Sequence, residues 1–181
     1  MSDLDRAVKF SLDDTLKILD STPDTLRFLL EDLPEHWLTC NEGPDTFSPT
    51  DVLGHLIHCE DDDWFVRAKI ILEHGDSVAF EPFDRFAFYR MHGDKTIEML
   101  LDEFEAKRIR NLEELIQLDL GEEQLQLTGT HPQLGRVTLA QLLAAWAVHD
   151  LAHINQISRV MLKQYADAVG PWEAYVSLLS K

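Results

Sequence analysis

Apolar side chains recur along most of the chain at spacings of three and four residues, the pattern of amphipathic helices. The predicted helices span about 3–33 with a restart or kink at Thr22-Pro23, then 48–74, 94–118 and 138–164, and a short terminal helix ends near Leu179. Ser48 is predicted to cap the second of these, with Pro49 in its first position. Pro34 and Gly75 follow the first and second as stop signals.

Two long stretches between these helices lack the helical pattern. The stretch 76–93 is irregular and aromatic, and 121–136 contains Gly129, Pro132 and Gly135, which argue against a helix there. Neither shows the alternation expected of strands. The sequence therefore predicts an all-α fold, a four-helix bundle with long crossover loops and a short C-terminal helix, in a single domain over 1–181.

Composition and charge narrow the range of partners and cellular locations that we expect for the protein. The chain of 181 residues carries 33 acidic side chains against 16 Lys and Arg, a net charge of -17. Nucleic acid and anionic membrane surfaces attract basic proteins, so neither is an expected partner. No apolar run approaches the ~20 residues of a membrane span, and no signal peptide is recognisable. Two cysteines are too few for a disulfide framework, so a reducing cytoplasmic location is expected.

His149 and His153 are the first residues that point to chemistry. They are four apart on the predicted fourth helix and lie among apolar positions. Side chains at this spacing share one helix face, where two imidazoles can bind one metal ion. Two core histidines with ordinary hydrogen-bond partners would give the same pattern.

A third candidate ligand lies on the second helix. His55 stands among apolar residues there, and His58 and Cys59, three and four positions later, are alternatives to it. The acidic run that follows, Glu60 to Asp63, is predicted to face solvent or to support the ligands. With a third ligand from a second helix, the His149/His153 pair would form part of a metal-binding site.

A zincin-like motif is the alternative for the histidine pair. His149-Asp150-x-x-His153 has aspartate where that motif has glutamate, which would make Asp150 the general base and Glu173 a third ligand. The strand that lines a zincin cleft is not predicted, which counts against this interpretation.

Four segments together resemble the DinB-like (damage-inducible) superfamily, and the resemblance covers most of the chain. The carrying motifs are FSPTDVLGHLI (47–57), TGTHPQLG (128–135), LLAAWAVHDLAHINQ (142–156) and VGPW (169–172). The resemblance implies an up-down-down-up four-helix bundle, a metal site of His55, His149 and His153 that holds Zn²⁺ or Ni²⁺, and a homodimer. Members of the family include thiol S-transferases and related isomerases.

The expected activity follows from three histidines that leave a coordination position open, as in catalytic zinc sites. A low-molecular-weight thiol bound there would lose its proton and attack an electrophilic substrate. A bound water would instead make the protein a metal-dependent hydrolase, and an ion that only ties helices together would make it a structural metalloprotein. Such thiols usually carry carboxylates, and only Arg85, Arg90 or Arg136 is expected to supply a contact.

Overall fold

A computed structural model of the protein describes residues 9–91 and 95–176. Its α-helices are α1 (Leu12–Leu30), α2 (Glu35–Leu38), α3 (Pro49–Asp62), α4 (Trp64–His74), α5 (Phe88–Met91), α6 (Ile97–Gln117), α7 (Glu122–Leu125) and α8 (Leu139–Lys163). The strands β1 (Thr128–His131) and β2 (Gly135–Thr138) form an antiparallel hairpin, and 3₁₀ helices span Gly75–Ser77 and Gly170–Tyr175.

Four long helical units form the bundle: α1, the pair α3 and α4, α6, and α8. The α1 helix packs against α6 and α8, while α3 packs against α6 and α4 against α8. Their apolar faces enclose two clusters of buried side chains, one around Trp146 and Leu143 and the other around Phe104 and Leu53. The predicted four-helix bundle with long connections is confirmed. The short C-terminal helix is a 3₁₀ helix, and its predicted end near Leu179 lies outside the described residues. None of the helices in the described residues is long and apolar enough to cross a bilayer.

The predicted restart of the first helix at Thr22-Pro23 is wrong. The α1 helix passes through Pro23, and the Thr22 hydroxyl donates to the Ile18 carbonyl instead of capping a new helix. Proline lacks the N–H that would bond to the carbonyl of Leu19, four residues earlier. Arg108 supplies that donor from α6 over 2.7 Å, so tertiary contact offsets the local defect. The predicted start near residue 3 lies outside the described residues.

The predicted second helix is two helices. Ser48 and Asp51 form the expected capping box, with Asp51 N donating to Ser48 Oγ over 3.1 Å. At Asp63 the backbone leaves the helical region (φ -117°, ψ -87°), and α4 begins at the next residue. No glycine or proline marks this break, so the spacing of apolar residues predicted one continuous helix.

The prediction that 121–136 contains neither helix nor strand is also wrong. This region holds α7 and most of the hairpin, in which Gly129 pairs with Val137 and His131 with Gly135. Four-residue strands are too short to produce a recognisable alternation. The hairpin is fastened to the preceding loop because Phe80 N donates to the Thr130 carbonyl over 2.9 Å.

Candidate metal centre

Three imidazoles from two helices meet inside the bundle. His55 is buried on α3, while His149 and His153 are half-buried one turn apart on α8. His149 Nε2 lies 3.3 Å from His55 Nε2 and 3.0 Å from His153 Nε2. The fold thus brings together all three residues that the sequence singled out, with His149 in the middle.

These separations fit a shared divalent ion. Two nitrogens that bind one tetrahedral zinc at ~2.0–2.1 Å lie about 3.3 Å apart. The contacts from His149 to His55 and His153 are close to that value. His149 Nδ1 is buried and has no hydrogen-bond partner among the described residues.

Cys59 is a further donor at the centre. Its Sγ lies 3.6 Å from His55 Nε2, one helical turn away. The ligand atoms of His55, Cys59 and His149 all lie within 4.8 Å of one another, whereas His153 joins the group through its contact with His149. The alternative ligand that the sequence left open is therefore part of the cluster.

Burial keeps the histidines uncharged. Desolvation, reinforced by the neighbouring His153 imidazole, lowers the pKa of both His55 and His149 to about 3. Desolvation also lowers the pKa of His153, although its hydrogen bond to Gln156 acts in the opposite direction. At neutral pH all three rings are neutral and have a lone pair to offer. The Cys59 thiol behaves differently, because burial and the nearby acidic groups raise its pKa well above the ordinary value.

Gln156 sets the orientation of His153. The carbonyl oxygen of Gln156 can only accept a hydrogen bond, so His153 Nδ1 donates to it over 2.9 Å. That contact places the proton on Nδ1 and leaves the lone pair of Nε2 facing His149. A partner of this kind on the second ring nitrogen is typical of metal-binding histidines.

Aromatic rings form the walls around the imidazoles. Trp64 meets His149 edge-on at 5.1 Å between ring centroids, and Phe47 and Phe83 each lie 5.8 Å from the His55 ring. Part of the aromatic loop predicted between helices therefore lines the centre. The apolar walls exclude water from the ring nitrogens, which is the physical origin of the lowered pKa values.

Two other residues that the sequence raised lie away from the cluster. His58 Nε2 is 3.2 Å from the Asp84 carbonyl, and Nδ1 is 3.2 Å from the Asp62 carboxylate, so the ring fastens the aromatic loop to α3. Glu173 is exposed in the C-terminal 3₁₀ helix and belongs to no group of metal-ligating atoms found among the described residues.

A buried polar network lies directly behind the imidazoles. Arg108 donates from Nη1 to Asp150 Oδ2 over 2.6 Å and from Nη2 to Glu60 Oε1 over 2.8 Å. Asn111 and Trp146 donate to the two Glu60 carboxylate oxygens over 2.9 and 3.1 Å. Although burial alone would lower the pKa of Arg108, Asp150 and Glu60 raise it, so the guanidinium stays charged.

The burial of these carboxylates bears on two alternatives that the sequence raised. Asp150 is fully buried and bound to Arg108, so it is not available as the general base of a zincin. Glu60 and Asp63 are buried as well, so these two members of the acidic run do not face solvent, which was one of the two places expected for them. The missed signal was Arg108 itself, which stands four residues from Phe104 and from Leu112 on the apolar face of α6.

Two open cavities flank the centre beneath the hairpin. One has a volume of about 500 Å³ and contacts Phe83 and Arg85 from the aromatic loop. The other has a volume of about 450 Å³ and is lined mainly by apolar side chains, with Trp64 at one side. Arg67 and His131 line both cavities. Either space can hold a small molecule next to the aromatic walls of the imidazole cluster.

Comparison with known proteins identifies the family. The chain is 20% identical to YfiT from Bacillus subtilis, described as a probable metal-dependent hydrolase with an unusual four-helix bundle topology; the TM-score is 0.74, and the match covers 91% of this chain and 93% of YfiT. TT2238, a four-helix bundle protein, is 20% identical with a TM-score of 0.57, over 82% of this chain and 98% of TT2238. Both likenesses concern the fold alone. No curated protein matches the chain. A family model of the DinB superfamily matches residues 18–157, and the chain therefore belongs to the DinB superfamily.

Proposed function

We propose that the protein is a metal-dependent enzyme whose divalent ion is held by His55, His149 and His153. The observation that carries this proposal is the convergence of three neutral imidazoles, with Nε2 contacts of 3.0 and 3.3 Å at His149. Neutral imidazoles that converge at this spacing can each direct a lone pair at one divalent ion. The choice between Zn²⁺ and Ni²⁺, the homodimer and the cytoplasmic location remain predictions.

Cys59 competes with His153 for the third position. In favour of His153, Gln156 already fixes the tautomer that leaves Nε2 free. Against Cys59, burial and then the negative charges of Asp63 and Glu60 raise the pKa of the thiol and oppose formation of a thiolate, the form that binds metals. We therefore assign His153 as the ligand and Cys59 as a buried thiol beside it.

The reaction that we propose is transfer of a low-molecular-weight thiol to an electrophile. A bound ion would supply a positive charge that lowers the pKa of an incoming thiol. The thiol sulfur forms a bond to an electrophilic carbon, the leaving group departs with the electron pair of its own bond, and the thiol proton passes to solvent. Gln156 and the rings of Trp64 and Phe83 hold the imidazoles in place and exclude water from them.

The buried carboxylates favour a thiol over water as the nucleophile. A free thiol has a pKa of about 8.5, whereas bulk water has about 15.7, so hydrolysis gains more from a nearby general base. Glu60 and Asp150 are bound to Arg108, and Asp63 is bound to Arg67 over 2.6 Å. The hydrogen bonds to Arg108 hold Glu60 and Asp150, so these two carboxylates are not free to take a proton from water.

Hydrolysis is the second candidate, because YfiT shares the fold and is described as a probable metal-dependent hydrolase. The two candidates differ in what they consume. A transferase needs a thiol as second substrate, whereas a hydrolase turns over an ester or amide in thiol-free buffer.

Metal content is the first test. Elemental analysis of protein purified without chelators should find a divalent metal near one equivalent per chain. His153→Ala should lower the affinity for Zn²⁺ strongly, while Cys59→Ser should leave it almost unchanged. The opposite ranking would move the third ligand to Cys59, and no binding of Zn²⁺ or Ni²⁺ by the wild-type protein would refute the metal centre.

Turnover is the second test. Metal-loaded protein should couple small thiols to a chlorinated or bimane-type electrophile, and His153→Ala should lose that activity. Cleavage of esters without thiol would favour the hydrolase. If metal removal lowers the melting temperature greatly and neither activity is found, the ion is structural.

A further inference from the structure

The larger cavity beside the centre is built from three parts of the chain. The aromatic loop contributes Phe83 and Arg85, and the end of β1 contributes His131. The third part is Asp63, at the break between α3 and α4, together with Arg67 in the first turn of α4. Phe83 separates this cavity from the centre, since its ring packs against His55 at 5.8 Å. A molecule in the cavity would therefore lie one ring away from the imidazoles.

Arg85 brings an uncompensated positive charge to this cavity. Its guanidinium lies over the rings of Phe47 and Phe86, at 5.3 and 5.0 Å from their centroids. No acidic side chain among the described residues forms an ion pair with it. The neighbouring Asp84 is bound instead to Arg90 over 2.8 Å. The Arg85 side chain is exposed, so its guanidinium is open to a ligand that enters the cavity.

His131 adds a neutral donor from the end of β1. The backbone N–H groups of Gln133 and Leu134 donate to His131 Nδ1 over 3.1 and 3.2 Å. Nδ1 is therefore an acceptor, and the proton of the neutral ring lies on Nε2. Within residues 9–91 and 95–176, Nε2 has no hydrogen-bond partner.

Arg67 does not share this role, although it lines the same cavity. It is buried, and its Nη1 binds Asp63 Oδ1 over 2.6 Å while its guanidinium lies over Phe80. The carboxylate of Asp63 compensates its charge. The guanidinium of Arg85 and the Nε2–H of His131 are therefore two donors of the cavity lining that can bind a ligand.

We infer that this cavity is an anion subsite, in which Arg85 and His131 bind a carboxylate or phosphate group of the substrate. A planar guanidinium suits both oxyanions, and its position over two rings restricts its movement before the ligand arrives. The inference rests on the proposed function in one respect, because it takes the anion to belong to the substrate of the imidazole centre. It explains how a strongly acidic protein can admit an anionic substrate.

Binding of inorganic phosphate to metal-free protein is the direct test. The Nε–H signal of Arg85 and the amide signals of the hairpin turn should shift in ¹H–¹⁵N spectra as phosphate is added. Arg85→Gln should weaken binding about tenfold, and Arg85→Lys should restore part of it. Arg110→Gln removes the same charge from the exposed face of α6 and should have no effect.

The outcomes separate this inference from the proposed function. Equal phosphate binding by wild type and Arg85→Gln, or no binding to wild type, would overturn the subsite. Binding that appears only in metal-loaded protein and ignores Arg85 would also overturn it, while supporting the metal centre. Arg85-dependent phosphate binding by a protein that proves unable to bind Zn²⁺ or Ni²⁺ would uphold the subsite and refute the metal centre.

Discussion

Arg108 Nη1 donates a 2.7 Å hydrogen bond to the carbonyl of Leu19, the group that Pro23 leaves without its helical partner. The same guanidinium binds Glu60 and Asp150, and so one side chain of α6 contacts α1, α3 and α8. Because Glu60 follows Cys59 and Asp150 follows His149, this contact also fixes the two helices of the metal centre relative to each other.

Arg108→Met should destabilise the protein by about 3–5 kcal/mol, because it leaves two buried carboxylates without a counter-charge. Urea unfolding of the metal-free protein measures this. Lys69→Met removes a cation from an exposed ion pair with Glu114 and should change stability by less than about 1 kcal/mol. A small loss in Arg108→Met would mean that the network contributes little.

Pro23→Ala tests how much of the stability lost in Arg108→Met comes from the missing hydrogen bond to the Leu19 carbonyl. Alanine restores the N–H four residues after Leu19, so its carbonyl regains a helical partner. Pro23→Ala should therefore be more favourable in the Arg108→Met background than in wild type, by about 1 kcal/mol. Identical effects in both backgrounds would show that the Arg108–Leu19 hydrogen bond is not coupled to the proline.

Gln156→Leu should weaken metal binding about 10–100-fold, because His153 loses the acceptor that fixes its tautomer. Calorimetric titration with Zn²⁺ measures the change. Asn155→Ala, at the exposed position next to it, is the matched control and should bind as wild type does. Unchanged affinity in Gln156→Leu would contradict the orienting role.

Acid should destabilise the metal-free protein through the buried histidines. Desolvation holds the pKa of His149 at about 3 in the folded protein, against an ordinary value of 6.5. The unfolded chain therefore binds a proton that the folded state excludes, and stability falls as pH drops from 6.5 towards 3. Each histidine with a pKa lowered to about 3 should reduce the free energy of unfolding by an amount on the order of 3 kcal/mol at pH 4.

The pH dependence has its own controls. His149→Gln should show a shallower loss of stability between pH 6.5 and 4 than wild type, while substitution of the exposed His74 by glutamine should not. Parallel curves for wild type and His149→Gln would mean that other groups dominate acid unfolding.

Gly129→Ala should loosen the hairpin over the cavities. A Cβ at this position would lie 2.7 Å from Ile71 Cγ1, closer than real contacts allow, and 3.0 Å from the Phe80 ring, which is also tight. We expect a loss of about 1–3 kcal/mol. Gly43→Ala is unsuitable as a control because its φ of 137° strains any side chain, so exposed Ala106→Ser serves instead. Hydrogen exchange in β1 should accelerate in Gly129→Ala alone.

The sequence by itself determined the bundle and its candidate ligands. Helical periodicity is a local property, and the N-caps of α3 and α8 depend only on residues within one turn of Ser48 and Thr138. The starts of both helices were therefore predictable. The spacing of His149 and His153 places them on one face whatever surrounds the helix. The choice of His55 depended on its apolar neighbours, which bury any side chain on that face of α3.

Only the tertiary structure decided which polar groups meet. Glu60 and Asp150 look like solvated charges in the sequence, and the position of Arg108 on the apolar face of α6 indicates burial but not its partners. Which charges pair is decided only when the helices pack. The break at Asp63, the passage of α1 through Pro23 and the short hairpin likewise depend on partners from elsewhere in the chain. The lack of an ion pair between Arg85 and any described residue is also visible only in the tertiary structure, because the fold decides which carboxylates come near a surface cation.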